Sequence, residues 1–184
     1  MKKIVLLSAV VLFSLASKAQ IFMAKSAEIS FFSEARLENI DAKSVTGKPI
    51  ISVKSGAFEV QVSMNSFKFK SGLMGEHFNE TYVESHKYPH AIFKGKIKDN
   101  DKIDYTKDGT YDVLVEGNMT MHGETKDVSA TGKLTIKGNQ ILVDSKFKLK
   151  LADYKIEVPT SKLANIAEEV DVTIKATLEP LKNK

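Results

Sequence analysis

The chain has no cysteine among its 184 residues, so it can hold no disulfide, no thiolate metal site and no lipid on an N-terminal cysteine. It is also short of long apolar runs. The one such run, Ile4 to Leu15 ("IVLLSAVVLFSL"), follows Met1-Lys2-Lys3 and precedes the small residues around Ser17-Lys18-Ala19. At about 12 residues it is too short to span a bilayer, and its flanks are those of a cleaved export signal over residues 1–19. A stable membrane anchor is therefore not expected. An excess of charge is missing too. Removing residues 1–19 takes away three of the 27 basic residues and no acid, leaving 24 against 23. A nearly neutral mature chain gives no reason to expect a nucleic-acid partner. Residues 20–184 are one domain's worth by length, and packing and backbone pairing alone must hold them together.

What is present is alternation. In "VDVTIKATLE", Val170, Val172, Ile174, Ala176 and Leu178 alternate with polar residues, as a strand with one dry and one wet face requires. The same period runs through Phe58 to Met64, Phe93 to Ile97, Tyr111 to Met121, Val128 to Ile136 and Ile141 to Leu149, with Ile29 and Phe31 in an earlier strand. "NIDAKSV" around Ile40 is a weaker eighth. Gly138-Asn139 separates two alternating runs by two residues, which predicts a hairpin pairing Ile136 with Ile141 and Leu134 with Val143. Pro49, Pro89, Pro159 and Pro180 are expected between or at the ends of strands. Gly95, Gly117 and Gly132 interrupt strands, as bends in a closing sheet do. The lysine stripes 94, 96, 98 and 146, 148, 150 have the outward parity. Eleven-residue strands, tilted, build a barrel roughly 28 Å tall, and about eight strands enclose either a packed core or one ligand. The fold class is all-β, an antiparallel barrel.

One segment breaks the period. Leu73, Met74, His77, Phe78 and Tyr82 recur at spacings of three and four, predicting a short helical segment over 73–83. Residues 151–169 form a second connection of mixed character.

Chemistry is thinly represented. No G-x-S-x-G elbow or phosphate-binding loop is present. His86 and His90 are four apart, but Pro89 between them argues against a helix, so the H-E-x-x-H signature is absent. His77, His86 and His90 with nearby glutamates could still assemble a site suited to zinc or copper, or a metal-dependent enzyme; the alternative is loop histidines making ordinary hydrogen bonds. His122 has parity opposite to Met119 and Met121 and suits a turn. Phe31, Phe58, Met64, Phe93, Met119, Met121 and Phe147 share inward parity, where they either fill a core or line a ligand cavity.

"SFKFKSGLMGEHFNETYVESHKYPHAIFKGKI" resembles the central signature of YceI-like proteins, with His77-Phe78 in the helical loop and Tyr88-Pro89 leading into a strand. "VEGNMTMHGETKDV" is similar to the family's second segment through Gly117, Thr120, His122, Gly123, Thr125, Lys126 and Val128, and "FKLKLADYKIE" to its later strand and turn. The resemblance implies a periplasmic or secreted lipocalin-like barrel that binds a long amphiphile without catalysis: an isoprenoid lipid, an isoprenoid quinone or a fatty-acid-like chain. The seven inward residues would then line the interior, and Leu73, Met74 and Phe78 would close or shape one end. No catalytic residue, metal or resident cofactor is expected beyond that lipid. The oligomeric state is left open, a homodimer among the options.

Overall fold

The computed structural model describes residues 20–181; the expected export signal lies outside them. Among the described residues ten strands run β1 Ile21–Met23, β2 Ala27–Glu34, β3 Asn39–Ser52, β4 Ala57–Ser63, β5 Lys68–Phe69, β6 His90–Ile97, β7 Gly109–Met121, β8 Glu124–Lys137, β9 Gln140–Lys150 and β10 Glu169–Pro180. Eight of them form a closed antiparallel barrel in which β2, β3, β4, β6, β7, β8, β9 and β10 pair in chain order. The ring closes because β10 pairs with β9 on one side and β2 on the other. The three-residue β1 sits between β10 and β3, continuing the line of β2, and β5 adds to β3.

The alternation explains the ring. Ile174 pairs with Ile29 on one side and Ser145 on the other, while its neighbours Thr173 and Lys175 face outward. The lysines of both stripes are exposed. The Gly138-Asn139 hairpin has the expected register, Ile136 opposite Ile141 and Leu134 opposite Val143. Gly138 takes φ +56° and donates its N–H to Asp108. A glycine with positive φ at the first of two loop residues is what the strand twist favours.

Two expectations need correction. Pro49 lies inside a strand, fully buried, because β3 runs to Ser52 rather than stopping near Val45. Its carbonyl accepts the Ala24 N–H at 3.1 Å, so its nitrogen faces the same side, the gap between β1 and β2, where no ladder partner needs a donor. Met64 lies just beyond its strand: β4 ends at Ser63 and Met64 opens a 3-10 turn, still buried at 5 % exposure.

The helical segment forms where the apolar spacing places it. Gly72–His77 is an α-helix, α1, and Phe78–Tyr82 continues it as a single π-helical turn. Met74, Phe78 and Tyr82, four residues apart, turn to the barrel interior. The opposite end of the barrel is solid: Phe22, Ile51, Ile136, Ile141 and Leu178 are all at most 4 % exposed.

Candidate functional site

A cavity of about 290 Å³ occupies the end of the barrel beneath α1. β2 gives it Ile29 and Phe31, β4 gives Val62 with Met64 just beyond, β7 gives Met119 and Met121, and β10 gives Val170 and Val172. The α1 segment roofs it with Met74, Phe78 and Tyr82. Polar side chains are few. Glu38, His77 and Lys162 line it while remaining exposed, so they mark where the cavity meets solvent. The volume sits at the lower bound of the roughly 300–1,000 Å³ of ligand pockets.

The roof is held by aromatic contact. Phe78 stacks on Phe31 with ring centroids 5.6 Å apart and planes 22° apart, and it meets Phe69 at 5.0 Å and Phe67 at 5.8 Å. Tilted and offset contacts at such distances are the favourable geometries for aromatic rings.

The ten candidate residues fall into three places. Phe31, Met64, Met74, Phe78, Met119 and Met121 line this cavity. Phe58, Phe93 and Phe147 lie deeper, around a separate void of about 30 Å³ that also touches Val113, Leu134 and Ile174. Phe58 and Phe93 meet at 6.3 Å, and such rings fill the barrel at that level. Leu73 is 59 % exposed and lines neither space. Sequence parity assigns all the strand residues to one interior. It is blind to the level at which large rings meet and divide that interior. Tyr82, Val83, Leu151, Ile156 and Ile166 also line the cavity; of these five, Tyr82 alone shows a signal in the sequence, through its helical spacing.

The histidines separate. His77 is at the mouth, His86 is exposed in the turn after the helical segment and His90 opens β6. Among the described residues no three His, Asp or Glu side chains are placed to hold a metal. The engaged histidine is His122, in the β7–β8 turn. Its Nδ1 lies 2.8 Å from the Tyr154 carbonyl and its Nε2 3.2 Å from a Glu84 carboxylate oxygen, with the Tyr88 ring packed edge-on at 4.7 Å. Glu84 is also paired with Lys87, and these two partners, Lys87 first, hold its carboxyl below the usual carboxylate range. Burial, with Asp153 adding to it, pushes the Tyr154 phenol up to about 12.

The model of the YceI-like domain matches residues 15–178, and the chain belongs to that family. No curated protein matches the chain. Among solved structures it is similar to a polyisoprenoid binding domain from Saccharophagus degradans implicated in plant cell wall breakdown, at 17% identity and TM-score 0.71, covering 89% of this chain and 99% of that one. It is also similar to Burkholderia cenocepacia BcnA (14% identity, TM-score 0.68, 82% and 95% covered) and to the Campylobacter jejuni YCEI protein (16% identity, TM-score 0.64, 82% and 90% covered). At these identities the likeness is one of fold.

Proposed function

We propose that this protein binds or carries a long-chain amphiphilic lipid, non-catalytically, after export to the periplasm or beyond. The observation that carries the reading is the cavity. It is lined mostly by apolar side chains and open at one end, and its charged residues, Glu38 and Lys162, stand at the opening with His77. The hydrocarbon chain lies along Phe31, Met64, Met119 and Met121, and the polar end rests near Glu38, His77 and Lys162. Family membership and the fold shared with a polyisoprenoid binding domain support an isoprenoid chain.

Affinity needs no charged anchor. Each methylene taken out of water contributes about 0.8 kcal/mol gross, so even ten carbons contribute about 8 kcal/mol before association and ordering costs. Methionine lines the walls at Met64, Met74, Met119 and Met121, and its unbranched side chain adapts to irregular apolar shapes.

Native mass spectrometry of the purified protein, followed by organic extraction, tests the reading. A lipid is expected at one per chain, exchangeable for an added long-chain isoprenoid. A folded protein that emerges empty and takes up no long-chain lipid overturns it.

A further inference from the structure

His122 stands apart from lipid binding, yet its neighbours in the chain do not. Among the described residues four non-glycine residues adopt the left-handed backbone conformation that side chains rarely take, and three of them meet here: Glu84, His122 and Lys155. Each follows or precedes a residue that lines the cavity, Val83, Met121 and Ile156 respectively. The cluster thus ties three segments together directly behind the cavity wall: the stretch that leaves the roof, the β7–β8 turn and the turn after β9.

The ring's two partners are both acceptors, a backbone carbonyl and a carboxylate. Imidazole satisfies both only when each nitrogen carries a hydrogen, as the imidazolium cation. We propose that His122 is a proton-dependent latch: charged, it ties Glu84 and the roof segment to the barrel; neutral, it lets that segment go and loosens the roof over the cavity. A neutral ring has one N–H, so one acceptor must lose its donor. The Tyr154 carbonyl belongs to a residue only 2 % exposed, whereas Glu84 has Lys87 to turn to, so the Glu84 bond is the one that breaks.

The surrounding charges are few and largely matched. Glu84 with Lys87 and the Tyr88 ring face His122 from the roof side. Glu124 lies on the β8 side, paired with Lys155 and near Lys126, and Asp153 is close to Tyr154. His86 is exposed.

Hydrogen exchange of the empty protein, read by mass spectrometry across peptides covering residues 78–88, tests the latch. The amides of Val83, Ser85 and Tyr88 bond to Phe78, Asn79 and Glu84 and report on this segment. Expressed relative to the intrinsic rate, their protection should fall about tenfold between pH 5 and 8, the loss of one hydrogen bond to a charged group. The fall should vanish in His122→Gln and persist in His86→Gln. Should His122→Gln not fold, Glu84→Gln keeps the histidine, removes the charge and should abolish the fall equally. Protection that is flat with pH in the natural protein, or that falls unchanged in His122→Gln or Glu84→Gln, overturns the proposal. The readout is taken without ligand, so its failure leaves the lipid reading standing, and the reverse.

Discussion

Gly117 in β7 faces Gly95 in β6 across the ladder, and there is no room there for a side chain. A Cβ on Gly117 would lie 2.2 Å from the Lys94 carbonyl oxygen and 2.3 Å from the Gly95 Cα, both backbone atoms that cannot step aside. The Gly117→Ala variant should therefore lose about 1–3 kcal/mol of stability, measured by urea unfolding. A variant as stable as the natural protein would mean that the two strands can part at no cost. That these two glycines fall within strands is legible in the sequence. That they sit opposite one another is not, because the pairing depends on the register between two strands whose facing glycines are 22 residues apart in the chain. His122 is a similar case. Its parity shows that it leaves the apolar face, but its partners come from 38 residues earlier and 32 later in the chain.

β3 and β10 show when a strand can be read. In β10 the buried positions are Val170, Ile174 and Leu178, large and apolar, and the strand declares itself. In β3 they are Ala42, Ser44, Gly47, Pro49 and Ile51, mostly small or polar, with a change of phase between Ser44 and Gly47. A register shift opposite Ala27 and Ile29 marks that irregularity. Ser44 can be buried because its hydroxyl meets Ser66 at 2.7 Å and Thr46 at 2.9 Å. Only the first part of β3 is therefore visible as a strand from sequence. The roof is the other element with a direct consequence. Phe78 touches three phenylalanines, and removing it by Phe78→Ala should lower stability by up to about 3 kcal/mol. Thermal or urea unfolding measures the loss. A second reading is the off-rate of bound lipid, which should rise as the roof loses its seat.

Across the whole molecule the interior has two halves, one hollow and one filled. Along β4, Val62 faces the hollow half and Phe58 the filled one; along β7, Met119 and Met121 face the former, Val113 and Val115 the latter. If the hollow half is the binding site, filling it should abolish uptake without unfolding the barrel. Met121→Trp places a larger ring in the 290 Å³ space, and it should emerge empty in native mass spectrometry with its far-ultraviolet circular dichroism unchanged. Undiminished lipid uptake by that variant would move the site elsewhere. The barrel and its helical cap were readable because alternation and helical spacing are local properties. The division of the interior was not, because it depends on which side chains from opposite walls touch.

The closing of the ring by β10 has a consequence in time. A chain is made from its N-terminus, so the strand that joins β9 to β2 is the last of the ten to emerge. Until residues 169–180 arrive, β2 and β9 are bare edges able to pair with other chains, and the cavity lacks the wall that Val170 and Val172 supply. The half-made protein has a growing sheet but no container; capacity to hold a guest comes only with its final strand.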